Sequence, residues 1–328
     1  METSKLKMAF YLNNEPILSP ILEAYPFQSD AFQAVKNLDF AAIFHEQGLG
    51  KTKIGIDVAL NWLEQDMVDT VFIVSKKSLI QNWLKEITDH AHIKPHILSE
   101  NRGSNIRLFN APVQLYLLNY EVISTNLDLI SEFLETCKVG VILDESQKIK
   151  NPESKLTKSF IELAPQFYKR VIMTGTPVAN RPPDIWSQIY FLDSGKSLGK
   201  SFKSFKKRTD LPKDVSKSDK ENSEIYAKVL SEIWKSISPF TVRETKDSSG
   251  IDLPSKTISS VMMKMEGDQA SIYANYLNEL RHELIDDDGN LIVDDAEMIL
   301  KLLLRLIQCA SNPAIIDNSY SEQPIKPK

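Results

Sequence analysis

The stretch HEQGLGKT, His45–Thr52, decides the fold. Before it comes FAAIF (Phe40–Phe44), a short apolar run that reads as a buried strand. After it, Lys51–Glu64 carries the three-and-four apolar spacing of an amphipathic helix. A glycine-rich loop between strand and helix is the setting of a phosphate-binding loop. Gly48 and Gly50 let backbone N–H groups turn toward one point, and the helix adds the positive end of its dipole. Lys51 would neutralise the β and γ phosphates of a nucleotide, and the Thr52 hydroxyl would ligate Mg²⁺. His45, Glu46, Gln47 and Leu49 complete the loop. The strict GxxxxGK[ST] spacing is missed, because His45 stands at its first glycine. Alone, the stretch could also be a glycine turn opening a helix.

The neighbourhood repeats the alternation. TVFIVS (Thr70–Ser75), QLYLLNY (Gln114–Tyr120), VGVILDE (Val139–Glu145) and RVIMTG (Arg170–Gly175) read as further strands. Ser78–His90, Ser154–Ala164 and Pro183–Leu192 read as amphipathic helices between them. Strand and helix in turn predict a parallel sheet covered on both faces, with ligands at the carboxyl ends of its strands. Past Asp193 the sequence becomes polar and lysine-rich. Helical spacing returns at Ser223–Ser236, Gln269–Leu284 and Ala296–Cys309, and TISSVMMKM (Thr257–Met265) reads as one more strand. The helix EMILKLLLRLIQC is apolar around most of its circumference and needs partners on several sides. These shifts predict an ATP-binding lobe over residues 1–193, a helical protrusion and connector over 194–255, and the cut-off start of a second lobe over 256–328.

Two further motifs bear on the loop. ILDESQ (Ile142–Gln147) places Asp144 and Glu145 at the end of an apolar strand. Asp144 would hold Mg²⁺ through water, and Glu145 would orient and deprotonate an attacking water. As a bland alternative, the two acids cap a strand. MTGTP (Met173–Pro177) ends the next strand, and the hydroxyls of Thr174 and Thr176 beside Gly175 can hydrogen-bond the acidic motif and report the γ phosphate. Alone, TGTP is an ordinary turn. Its order behind the other two motifs makes it specific.

Composition narrows the setting. No apolar run approaches the ~20 residues of a membrane span, and METSKLKMAFYL lacks the apolar core of a secretory signal. A cytoplasmic or nuclear home is expected. Cys137 and Cys309 sit in no CxxC or Cys/His cluster, which argues against disulfides and zinc. The net charge of −5 argues against a wholesale nucleic-acid coat. Between Lys196 and Lys220, however, nine basic residues face three acidic ones. Asp286–Glu297 reverses this, with six acids and no base. In that acidic run, taking Gly289 as the loop glycine of an EF-hand puts Leu284 at the first ligand position, so calcium is not expected.

On these motifs the chain resembles the Swi/Snf-type ATPases of helicase superfamily two, from about Tyr25 to Pro313. HEQGLGKT is similar to DEMGLGKT, ILDESQKIKNPESK to ILDEAH.IKN..SK, and MTGTPVANRPPDIWSQIYFLD to LTGTP..N...ELWSLL.FL. VSKKSLIQNWLKEI, with Trp83 and Glu86, resembles the segment containing P.SLL..W..E. LLNYEVI, SPFTVRETKDSSGIDLPSKT, QASIYANYL and LIQCASNPAII match later segments. YPFQSDAFQAV looks like the family's opening segment, whose glutamine reads adenine; that residue is Gln28.

The resemblance implies a RecA-like phosphate-loop domain, α/β in class, with a mainly helical C-terminal extension. It implies ATP and Mg²⁺ as cofactors and duplex DNA as partner. A second RecA-like lobe, in cis or in trans, and a DNA-bound protein to displace are also implied. Gln147 stands where most relatives have histidine; it still hydrogen-bonds toward the γ phosphate but does not titrate near neutral pH. Glu244 replaces the second arginine of the LRR pair, and the Q...R..R motif that supplies arginine fingers has no counterpart. In KSFKSFKKR (Lys200–Arg208), Phe202 and Phe205 would anchor the segment while Lys203, Lys206, Lys207 and Arg208 face DNA. Arg243 and Lys246 are candidates for DNA contact or interlobe pairing, with plain surface solubility as the rival. The expected function is ATP hydrolysis coupled to movement on duplex DNA. A nucleotide-gated binding module without turnover is the alternative, and a general strand-separating helicase a third.

Overall fold

The computed structural model describes residues 16–178, 181–210, 219–250, 257–262, 264–265, 267–284 and 296–316. The chain divides into two compact units, Met1–Asp252 and Leu253–Lys328.

The first unit is built on seven strands: β1 Phe40–Ile43, β2 Thr70–Ser75, β3 His96–Ile97, β4 Leu115–Asn119, β5 Val139–Asp144, β6 Lys169–Met173 and β7 Thr241–Val242. They lie in the order β3-β4-β2-β5-β6-β1-β7, and every pairing is parallel. All five runs read as strands in the sequence form. β2, β4 and β5 are buried at each position, the continuous apolar signature of a sheet covered on both faces. Because side chains alternate across a strand, each strand feeds two cores. Phe72 and Val74 of β2, Tyr116 and Leu118 of β4, and Val141 and Leu143 of β5 enter one. Val71 and Ile73, Leu115 and Leu117, and Ile142 enter the other.

Helices cover both faces. Through residues such as Ala31, Ile54 and Ile87, α1 (Pro26–Val35), α2 (Lys51–Glu64) and α3 (Ile80–His90) fill the second core. The first core takes α4 (Arg102–Asn110), α5 (Tyr120–Thr125), α6 (Leu127–Thr136), α7 (Lys155–Leu163), α8 (Trp186–Asp193), α9 (Phe202–Thr209) and α10 (Asp219–Ile237). Its centre is aromatic: Phe109 and Phe133 stack at 4.3 Å, with Phe72 and Tyr116 against them. Phe205, Ile233, Ile237 and Phe240 join this core, which ties α9, α10 and the approach to β7 to the first unit.

In the second unit α11 (Gly267–Leu284) and α12 (Ala296–Ser311) pair through Leu280, Leu302 and Leu306. The Gln269 amide clamps the pair by donating to the carbonyls of Cys309 and Ala310 at 2.9 and 3.2 Å. TISSVMMKM corrects the sequence reading: its described residues form no strand, and Ile258, Val261 and Met262 are exposed. A strand takes all its backbone hydrogen bonds from a neighbour, so an apolar, β-branched run is insufficient without one. The acidic stretch Asp286–Asp295 lies outside the described residues. Among those residues, no helix is long and apolar enough to cross a membrane.

Candidate functional site

The strand order brings the three sequence motifs together. β6 lies between β5 and β1, with Met173 opposite both Asp144 and Ile43. The acidic, TGTP and HEQGLGKT loops therefore leave the same carboxyl rim on three adjacent strands. A cleft of about 690 Å³ opens there, lined among others by Gln28, Gly48, Gly50, Lys51, Thr52, Trp83, Asp144 and Glu145.

The loop's local structure follows from its glycines. Gly48 (φ 87°) and Gly50 (φ 65°) hold left-handed backbone that other residues adopt only under strain. Gly50 caps α2, and no side chain accepts from the helix's first N–H groups. Those donors remain available to an anion. A Cβ at residue 50 would sit 2.1 Å from Gln28 Nε2, so this glycine also makes room for the glutamine. Gln28 is buried: its Oε1 accepts from Tyr25 N–H at 3.0 Å, and its Nε2 lies 3.5 Å from the Leu49 carbonyl.

Lys51 Nζ donates to the carbonyls of His45 and Glu46 at 3.0 and 3.3 Å. Burial lowers its pKa, while Glu145, Asp144 and Glu46 oppose the shift. Asp144 is buried, and that burial raises its pKa; the Trp83 indole, donating to Oδ2 at 2.8 Å, opposes this. Glu145 occupies left-handed backbone (φ 55°), unusual for a non-glycine residue. The turn aims it into the cleft with Asp144. Gln147 Nε2 donates to Glu145 Oε2 at 2.5 Å, and Gln147 Oε1 is buried with no hydrogen-bond partner among the described residues. Gly175 abuts the loop: a Cβ there would lie 3.0 Å from Gln47 Cγ and 3.5 Å from Lys51 Nζ.

His45 is 2% exposed, and neither ring nitrogen has a hydrogen-bond partner among the described residues. Burial is the main reason its pKa falls to about 4. Phe27 lies beside it, with ring centroids 6.4 Å apart.

The Thr174 hydroxyl, expected to hydrogen-bond the acidic motif, accepts within its own loop, from Thr176 N–H at 3.0 Å. Two contributors, Gln188 and Tyr120, were not singled out from the sequence. The acidic and TGTP loops are joined through Gln188 of α8. Its Oε1 accepts from the Ser146 hydroxyl at 2.7 Å, and its Nε2 donates to the carbonyls of Pro177 and Asp184 at 2.9 Å each. Gln188 carries no local signal of this role, for its partners come from other loops. The Tyr120 hydroxyl, also buried, donates to the Asp144 carbonyl at 2.7 Å.

The basic candidates fall in three places. On α9, Lys203, Lys206, Lys207 and Arg208 are exposed, Phe205 is buried, and Phe202 packs on Trp186 at 5.4 Å. Arg243 sits over the Trp234 ring at 5.4 Å. Lys246 instead lies beside the glycine loop: its N–H donates to Glu46 Oε2 at 2.8 Å, and its Cε is 3.9 Å from where a Cβ on Gly48 would be.

Comparison with known proteins agrees with this architecture. The chain is 25% identical over 345 residues to the DNA repair and recombination protein RAD54-like of Danio rerio, covering 96% of this chain and 45% of that protein. It is 27% identical over 275 residues to an uncharacterized ATP-dependent helicase of Mycoplasma genitalium, covering 82% of this chain and 25% of that one. This chain thus spans less than half the length of either relative. The solved Sulfolobus solfataricus SWI2/SNF2 ATPase core in complex with dsDNA is similar, with TM-score 0.58 and 27% identity over 92% of this chain and 61% of that one. The solved Sulfolobus solfataricus SWI2/SNF2 ATPase core domain gives TM-score 0.56 and 28% identity over 96% of this chain and 61% of that one. Residues 39–315 match the SNF2-related domain, so the chain belongs to the SNF2-related domain family.

Proposed function

We propose that this protein is the ATP-binding part of a DNA-dependent ATPase that couples hydrolysis to movement on duplex DNA. One observation carries the reading: three loops with complementary chemistry leave one carboxyl rim of a parallel sheet, and the glycine and acidic loops line a cleft there. In this reading residues 1–193 hold the nucleotide, 194–255 form a protrusion and connector, and 256–328 begin a second lobe.

The residues fit ATP and Mg²⁺. The positive-φ glycines and the uncapped start of α2 present N–H donors to phosphate oxygens, and Lys51 supplies the cation. Thr52 and Asp144 are oxygen donors of the kind Mg²⁺ prefers. When bound, Mg²⁺ would supply positive charge against the charge developing on the phosphate oxygens. Glu145 accepts a proton from the attacking water, and Gln147, hydrogen-bonded to it, orients that carboxylate. Gln28 would hold the base beside the loop. Thr174, Gly175 and Thr176, against Gln47 and Lys51, would report phosphate occupancy to the rest of the sheet. The exposed cations of α9, with Arg243 and Lys246, are the candidates for DNA phosphates.

A transition-state cation is also needed. Arginine fingers contribute on the order of 10³–10⁵ in rate, and these residues contain no matching motif. The chain by itself should therefore bind ATP and turn it over slowly, with little stimulation by duplex DNA. Adding a second lobe, in cis or as a separate chain, should restore DNA-dependent turnover. A steady-state assay of these residues with and without DNA tests it: brisk DNA-stimulated hydrolysis by this chain alone refutes the split site.

A further inference from the structure

Asp144 is held by two buried aromatic side chains from different elements. The Trp83 indole N–H, on α3, donates to its carboxylate Oδ2 at 2.8 Å. The Tyr120 hydroxyl, on α5, donates to its carbonyl oxygen at 2.7 Å. Neither aromatic is more than 1% exposed. An indole N–H can only donate, so it constrains a carboxylate in one sense: fixing one oxygen sets where the other points. Trp83 is itself confined. Its Cη2 lies 3.5 Å from where a Cβ on Gly55 of α2 would be, so the ring is wedged between α2 and the end of β5. Tyr120 fixes the peptide immediately before Glu145, where the backbone turns left-handed.

We propose that Trp83 is a positioning residue for the metal-side carboxylate: it presets the orientation of Asp144 for Mg²⁺ and so tunes the metal dependence of nucleotide binding. This rests on the reading of Asp144 as the Mg²⁺-holding group. Partners that orient a metal ligand typically change metal affinity by about 10–100-fold when removed. A purely structural indole bond would alter stability and leave metal dependence alone.

Trp83→Phe keeps a ring and removes the donor. ATP affinity of the full chain is measured by calorimetry in EDTA and across a Mg²⁺ titration. The Mg²⁺ concentration for half effect, read against each variant's own affinity in EDTA, should rise about tenfold. Trp62→Phe is the control, because buried Trp62 donates to the Lys36 carbonyl at 3.2 Å and loses a similar bond away from Asp144. Its Mg²⁺ midpoint should not move. An unmoved midpoint in Trp83→Phe, or an equal shift in both variants, overturns the proposal. Should Trp83→Phe fail to fold, the unmutated chain decides: the Trp83 indole ¹⁵N–¹H resonance should shift when Mg²⁺ joins bound ATP, and a stationary resonance overturns it. A wild-type chain that binds no ATP at all defeats the proposed function, and this inference with it. ATP binding with an unmoved midpoint defeats only this inference.

Discussion

In the first unit, alternate residues of β2 enter opposite cores, Phe72 and Val74 on one side and Val71 and Ile73 on the other. In the second unit, α12 buries Leu302 and Leu306 against α11 and leaves Leu300, Leu303, Leu304 and Ile307 exposed. The two regions are similarly rich in leucine, isoleucine and valine. What differs is the supply of neighbours: a parallel strand here has two strands and two helix layers around it, whereas α12 has one described helix within its unit. Apolar character is a demand for contact, and the fold decides where that demand is met. The polar chemistry follows the same division. Asp144, Thr174 and Gln188 keep their hydrogen bonds because the first unit surrounds them.

The largest expected effect tests whether nucleotide chemistry resides in the well-packed unit. Glu145→Gln should retain ATP binding and lower single-turnover hydrolysis by about 10²–10⁴-fold, the usual contribution of a general base. Hydrolysis near the wild-type rate would move the base role to another residue.

Lys51→Ala should weaken ATP binding by about 10- to 100-fold, the loss of one or two hydrogen bonds to a charged group. Calorimetry giving equal affinities for wild type and variant would remove the glycine loop from the binding site.

His45 offers a pH test of packing in the first unit. Its folded pKa, about 4, lies below the ordinary histidine value of 6.5, so the unfolded chain binds the extra proton between these values. Stability is then fully present above the unfolded pKa and falls as pH drops toward the folded one. Between about pH 6.5 and 5 the loss should be about 2 kcal/mol or less. Urea unfolding of His45→Asn should show a flatter dependence over that window; an unchanged slope would mean that other groups cause it.

The smallest effect belongs to the second unit. Leu304→Ala, on the exposed face of α12, should change stability by no more than about 0.5 kcal/mol. A loss of about 3 kcal/mol, as for a core leucine, would show that this face is covered in solution and would erase the contrast between the units.

Legibility in the sequence followed the range of the signal. Each of the five central strands was readable from its own apolar run, and α2 from Lys51 to Glu64 was readable to the residue. The edge strands β3 and β7 were not, since two residues carry no period and are strands only because β4 and β1 accept them. α4, α5 and α6 also went unread. Two of them start at asparagine caps, Asn101 and Asn119, a weaker signal than the neighbouring strand patterns. TISSVMMKM failed in the other direction, a strand-like pattern whose described residues join no strand among the described residues.

By itself, then, the sequence determined the alternating α/β architecture, the strand–loop–helix around HEQGLGKT and the three motifs that end β1, β5 and β6. Each is encoded in residues a few positions apart, where side-chain period and glycine freedom act directly on the backbone. Tertiary structure alone decided that β6 falls between β5 and β1 and so gathers those motifs at one rim. It decided that Trp83 reaches Asp144, that Gln188 joins Ser146 to Pro177, and that Lys246 lies against Glu46. These contacts span tens to hundreds of positions. Local propensity carries no information about such a pair, because the hydrogen bond exists only once the sheet has brought both ends to the same rim.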